Sequence, residues 1–136
     1  MFTVNRAARR FESLTAKVLA GDSLGFLEGL VLAAIFFEAP RLVKPSQLAE
    51  TFATSRGNVS HCVSSLEAKG LLQRRIDPKD ARAYQLTLKP QGKRCAMRVI
   101  GAFDKLQKEF EDEIGKASLS DMLKAIRRLE ALFAVK

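Results

Sequence analysis

Arg56, Asn58, Ser60, His61 and Ser64 interleave with Val59, Cys62, Val63 and Leu66 at intervals that place the polar set on one side of a helix and the apolar set on the other. Arginine and asparagine both present paired hydrogen-bonding groups. At a base edge an arginine fork fits the two acceptors of guanine, and an asparagine amide fits the donor and acceptor of adenine. The polar face therefore has the chemistry to read a groove of DNA. Arg74, Arg75, Lys79 and Arg82 follow closely, with Asp80 among them. Residues 41–98 hold twelve basic and four acidic side chains, which accounts for the whole formal charge of +8, while the flanks are neutral. Positive charge confined to the middle of a chain is what the footprint of a surface that meets a polyanion looks like, the alternative being a solvated basic face.

Other chemistries are poorly supplied. One histidine and two cysteines, Cys62 and Cys95, offer no metal-ligand spacing, so neither a metal nor a cofactor is expected. No nucleophile elbow, phosphate-binding glycine loop or acid–base pair is present, and the chain is not expected to be an enzyme. Cys62 lies on the inward stripe and reads as a small core residue. With no secretory leader pattern and few cysteines, the expected setting is the reducing cytoplasm. The longest apolar stretch, residues 24–37, is shorter than the roughly 20 residues that a membrane crossing needs, and it contains Glu28. It reads as a buried core helix.

The elements that must position the polar face follow from periodicity and punctuation. Residues 2–20 repeat apolar positions at three- and four-residue intervals, predicting an amphipathic helix that Gly21 and Asp22 end. Ser23 is the predicted cap of the next helix, which Pro40 stops and whose last aromatics, Phe36 and Phe37, read as core or as the lining of a pocket. Pro45 opens a short helix running to about Phe52. Ser55 caps the helix that carries the polar face, and Gly70 closes it. Residues 71–76 read as a strand, 77–80 as a turn, and 84–88, with their alternation, as the second strand of a hairpin with Arg82 near its tip. From Pro90 one apolar face continues for about seven turns, roughly 37 Å of helix. A last helix is predicted to start at Leu119 and Ser120. The faces of 2–20, 90–115 and 119–133 are too large for one slim domain to cover, so a second copy is expected to bury them, with Phe103, Leu106, Phe110, Leu129 and Phe133 as candidates.

Residues 45–92, PSQLAETFATSRGNVSHCVSSLEAKGLLQRRIDPKDARAYQLTLKPQG, resemble the winged helix–turn–helix core of the MarR (multiple antibiotic resistance regulator) family. The matching positions are Leu48 and Ala49 in the first short helix, and Val59, Ser60, Leu66, Lys69, Gly70 and Leu71 around the second. Arg74, the Asp80 and Arg82 pair, Leu86, Leu88 and Gly92 complete them. Three positions depart from the pattern: Gly57 where a hydroxyl residue is frequent, His61 where arginine is common, and Lys89 where threonine is common.

The resemblance implies a mainly α fold, a winged helix–turn–helix with a two-stranded wing flanked by N- and C-terminal dimerisation helices. On this reading 1–136 is a single domain, with 24–92 as the DNA-binding region and 2–20 and 90–135 as dimerisation helices. The implied function is a homodimeric, sequence-specific regulator of transcription, a repressor relieved by a small aromatic or anionic effector. Its partner is double-stranded DNA. Arg56, Asn58, Ser60, His61 and Ser64 would face the major groove, with Arg74, Arg75, Lys79 and Arg82 on the wing and Asp80 orienting Arg82. The alternative is a winged-helix module that docks an acidic protein without reading DNA.

Overall fold

The computed structural model describes residues 1–134 and is mainly helical. In chain order it contains α1 (Phe2–Leu19), a short 3-10 turn (Ala20–Asp22), α2 (Phe26–Glu38), α3 (Pro45–Thr51) and α4 (Arg56–Ala68). The strands β1 (Leu72–Asp77) and β2 (Asp80–Leu88) follow, then α5 (Pro90–Ile114) and α6 (Lys116–Ala134). Two compact units are formed, one from Met1 to Ile100 and the other from Gly101 onward.

In the first unit the core collects Val31, Leu32 and Ile35 of α2, Leu48 of α3, Val59, Val63 and Leu66 of α4, and Leu72 and Leu86 of the hairpin. All the inward positions expected on α4 are buried, Cys62 included. Full burial of each such aliphatic side chain contributes about 1.5–3 kcal/mol, which outweighs the weak helix propensity of a segment rich in serine and valine. Phe37, by contrast, is 69% exposed and packs edge-on against Phe36, so the end of α2 is not core at that position.

Helix boundaries show which local signals prevailed. Ser23 does not cap α2: it adopts a left-handed conformation (φ 57°) and its amide donates to the Ala20 carbonyl, so it ends the preceding turn. Gly25 stands at the N-cap instead, and Glu28 Oε1 reaches back to accept from the Gly25 N–H at 3.0 Å. At the far end of α4 the Gly70 N–H donates to Glu67 and the Leu71 N–H to Leu66, with Gly70 at φ 74°. That paired closure needs a left-handed residue, which glycine adopts without strain. The helix α6 begins at Lys116, earlier than Leu119. Gly115 (φ 83°) turns the chain in one residue, and its carbonyl accepts the first bond of α6, from the Leu119 N–H.

The hairpin is antiparallel with Leu72 opposite Leu88, Arg74 opposite Leu86 and Ile76 opposite Tyr84. Beyond Ile76 the register shifts and Asp77 pairs with Asp80, leaving Pro78 and Lys79 as the loop. The second strand thus starts four residues before Tyr84. Residues 80–83 lack β-branched and aromatic side chains; Asp80 is held by pairing with Asp77, and 81–83 lie at the irregularity before Tyr84 meets Ile76. Val43 adds a single bridge to Leu86, whose N–H donates to the Val43 carbonyl at 2.8 Å.

Leu106 of α5 and Leu119 of α6 are buried in the second unit. Leu129, Leu132 and Phe133 of α6 are more than half exposed, and Phe103 and Phe110 are half-buried. Among the described residues no single helix is long and apolar enough to cross a membrane.

Candidate nucleic-acid interface

The Ser55 side chain opens α4 by accepting from the Asn58 N–H at 3.0 Å, as an N-cap serine should. Arg56, Asn58, Ser60, His61 and Ser64 are all exposed, opposite the buried Val59, Cys62, Val63 and Leu66. The Asn58 amide nitrogen donates one hydrogen to Thr54 Oγ1 at 3.0 Å. A second amide hydrogen and the carbonyl oxygen remain, the pair that a base edge requires. A side chain at Gly57 would meet only Ser55 Oγ, at 3.8 Å, so the first turn of this face has open space where a hydroxyl residue would stand.

The wing rests on two polar struts. Asp77 is buried at the end of β1; its Oδ1 accepts from the Lys79 N–H at 2.9 Å and its Oδ2 lies 3.3 Å from Lys44 Nζ, just before α3. The Lys79 N–H, then the Lys44 ammonium, hold the Asp77 carboxyl below its ordinary range against the cost of burial. The wing tip is thereby tied to the start of the helix–turn–helix. Arg75, Lys79, Asp80 and Arg82 are exposed along this hairpin. Arg82 sits on β2 three residues past the loop rather than in it. Asp80 Oδ1 accepts from the Arg82 backbone N–H at 3.0 Å, so the carboxylate grips the main chain of Arg82.

Arg74 differs from its neighbours by having protein partners: Ser64, Glu67 and the Tyr84 ring. Sequence reasoning grouped it with the free basic residues because a strand arginine next to another arginine carries no mark of its partners.

Glu28 was also missed. Its Oε2 accepts from Ser65 Oγ at 3.0 Å and from Lys69 Nζ at 2.9 Å, and Lys69 also donates to the Ser23 carbonyl at 2.7 Å. One carboxylate on α2 therefore holds the C-terminal half of α4. The available signal was a lone charge inside an apolar helix, which demands a partner. Burial opposes ionisation of Glu28, but the Gly25 N–H, the Lys69 ammonium and the Ser65 hydroxyl together outweigh it and hold its pKa below the ordinary value. A depressed carboxylate contributes stability above its unfolded-state pKa and loses it as pH falls through the folded-state value. Glu28→Gln should thus be less stable than the wild type at pH 7, by about 1–3 kcal/mol, with the gap closing toward pH 3. Urea unfolding at the two pH values checks this; a gap that stays constant with pH would show that the charge on Glu28 is irrelevant.

Arg98 of α5 donates to Asp22 from Nη2 at 2.7 Å and from Nε at 3.2 Å. Neither cysteine is poised for reaction. Burial, with the Glu28 charge added, pushes the Cys62 thiol up to about 12, and burial followed by Asp22 raises that of Cys95.

Two short helices in tandem, the second with an exposed polar face, followed by a two-stranded hairpin studded with basic residues, define a winged helix–turn–helix protein. The sequence model of the MarR family matches residues 23–83 of this chain. A Thauera aromatica protein whose name assigns it to transcriptional regulation of the hcr operon is 29% identical over 84 residues, 62% of this chain. The chain matches about half of that relative's length (51%). Among solved structures, a Staphylococcus aureus MepR–DNA complex superposes with a TM-score of 0.88 at 15% identity, covering 96% of this chain and 95% of the other. BldR of Sulfolobus solfataricus, a transcriptional regulator, superposes with a TM-score of 0.82 at 20% identity, covering 96% and 91%. These similarities extend the shared fold over nearly the whole chain.

Proposed function

We propose that the chain acts in the cytoplasm as a homodimeric, sequence-specific DNA-binding regulator of transcription, a repressor relieved by a small aromatic or anionic ligand. The observation that carries this reading is the exposed set Arg56, Asn58, Ser60 and His61 on α4 beside a wing that exposes Arg75, Lys79 and Arg82. The MepR–DNA complex, with the same fold, supports a DNA partner. Dimerisation is supported by the apolar residues left uncovered on α1 and α6: Phe2 and Val4 are 91% and 70% exposed, and Leu132 and Phe133 are 63% and 67% exposed. A single copy leaves these faces in water at a cost of about 25 cal/mol per Å². Leu106 takes no part, being buried within one chain. The sense of regulation and the relieving ligand extend the reading from the family.

Two half-sites about 34–36 Å apart are expected, one for each α4 of the dimer. Fragments of the source genome selected in a mobility-shift assay with excess nonspecific competitor test the reading. Affinity should fall steeply with salt, with a slope of about 0.9 per phosphate neutralised. Alanine at Arg56 or Asn58 should cost about 1–3 kcal/mol at the selected site and less on random DNA. A flat salt profile would favour the acidic-protein partner, and a folded monomer at micromolar concentration in analytical ultracentrifugation would overturn the dimer.

A further inference from the structure

Arg74 on β1 joins three elements with one side chain. Its Nη2 donates to Ser64 Oγ on α4 at 2.7 Å, its Nε lies 3.5 Å from Glu67 Oε1 one turn further along α4, and its guanidinium carbon sits 4.9 Å from the centre of the Tyr84 ring on β2. Tyr84 is the diagonal cross-strand neighbour, since Arg74 stands opposite Leu86, and the two side chains share a face of the hairpin. Arg74 Nε is sealed from solvent and makes no hydrogen bond, and the side chain as a whole is only 32% exposed. Arg75, its immediate neighbour, is exposed on the opposite face.

We propose that Arg74 is a positioning residue, which locks the wing to the helix that reads DNA and directs the Ser64 hydroxyl outward, rather than a residue that neutralises a phosphate itself. To reach a phosphate the guanidinium would have to leave the Tyr84 ring, the Glu67 carboxylate and the Ser64 hydroxyl, exchanging contacts already made for new ones of similar strength. The Ser64 oxygen spends a lone pair on Arg74, so its own hydrogen points elsewhere. On an exposed side chain of α4 that direction is outward, toward an acceptor oxygen of the backbone of DNA. A hydroxyl fixed in this way binds without having to choose a rotamer. Lysine does not replace the strut, because a single ammonium cannot bridge Ser64 and Glu67 while lying flat on a ring. The inference rests on the reading that α4 and the wing bind DNA.

The test is titration of the wild type, Arg74→Ala, Arg74→Lys, Ser64→Ala and the Arg74/Ser64 double alanine variant on a selected duplex and on random DNA over a range of salt. As a strut, Arg74 gives a loss of about tenfold on the selected duplex for both the alanine and the lysine variants, the equivalent of one hydrogen bond. The slope of log K against log salt stays at the wild-type value, random DNA is affected less, and the double variant loses no more than the larger single loss. As a phosphate contact, it gives a near-wild-type lysine variant and an alanine variant whose slope falls by about 0.9; this overturns the proposal. Equal losses on selected and random DNA that follow the unfolded fraction in circular dichroism reduce Arg74 to a fold-maintaining role and also overturn it. Should Arg74→Ala not fold, Ser64→Ala at its exposed position decides: a tenfold loss with unchanged slope supports the strut, and unchanged affinity overturns it. A wild type that binds no duplex at any salt overturns the DNA reading and takes the Ser64 role with it, whereas normal wild-type binding with an altered Arg74 slope removes the strut alone.

Discussion

Arg82→Ala is expected to weaken binding to the selected duplex by about 1–3 kcal/mol per wing, and by twice that in a dimer that engages two wings, without lowering the melting temperature. Arg82 is exposed on β2 just past the hairpin loop, and a guanidinium on such a projection fits a narrow minor groove, where the negative potential concentrates over A·T-rich sequence. Asp80 supplies the sharper half of the experiment. It adds negative charge to the surface proposed to meet phosphates, so simple electrostatics expects Asp80→Ala to bind more tightly. Its Oδ1, however, accepts from the Arg82 N–H at 3.0 Å and holds the main chain from which the Arg82 side chain leaves. Loss of that grip frees the backbone at the point where the register shifts, and the entropy of re-ordering it must then be met on binding. Asp80→Ala is therefore expected to bind more weakly, and Asp80→Asn, which keeps an acceptor oxygen, to fall between the two. Fluorescence anisotropy titrations of folded variants check the order; tighter binding by Asp80→Ala would remove the positioning role of Asp80.

Gly92→Ala is the substitution expected to cost most in stability. Gly92 lies in the first turn of α5, buried, and a Cβ there would overlap the Leu71 carbonyl oxygen, which already accepts from the Lys89 N–H at 3.0 Å. The obstacle is backbone, which cannot turn aside as a side chain does. Either α5 lifts off the end of α4 or the Lys89 hydrogen bond breaks, and the expected loss is about 3 kcal/mol. For a unit of this size that is a fall in melting temperature on the order of 10–20 °C. Gly101 in the same helix is the matched control: no atom lies within 4 Å of a Cβ built there, and Gly101→Ala should be stabilising by about 0.5–1 kcal/mol. If calorimetry ranks the two variants in the opposite order, close packing of α5 on Leu71 is not what Gly92 provides.

The residues of α4 were legible from the chain alone because helix periodicity and end signals coincide there. The 3.6-residue repeat separates Val59, Cys62, Val63 and Leu66 from the polar face, and the Ser55 cap and Gly70 closure act within one turn of the helix they bound. Local chemistry of this kind needs no distant partner. The Lys44–Asp77 strut, the Arg98–Asp22 pair and the grip of Glu28 on Ser65 and Lys69 are a different matter, since they join residues 33, 76 and 37–41 positions apart. Nothing in the spacing of such residues announces that they meet.

The boundary between what the sequence determined and what the tertiary structure decided runs through single side chains. Hydrophobic periodicity, turn residues and charge placement determined the order of the elements, the outward face of α4 and the basic character of the wing, because each depends on neighbours within a few residues. Whether a given charge on that surface is free or engaged was decided only when β1, β2 and α4 came together. Arg74 and Arg75 are identical and adjacent, yet the strand alternation turns one toward Tyr84, Ser64 and Glu67 and leaves the other in solvent. The start of β2 at Asp80 was decided in the same way, since a strand of weak propensity exists only by hydrogen bonding to its partner. The physical reason is common to both: helix periodicity is an interaction along the chain, whereas strand pairing and ion pairing are interactions across it, and their partners are selected by packing.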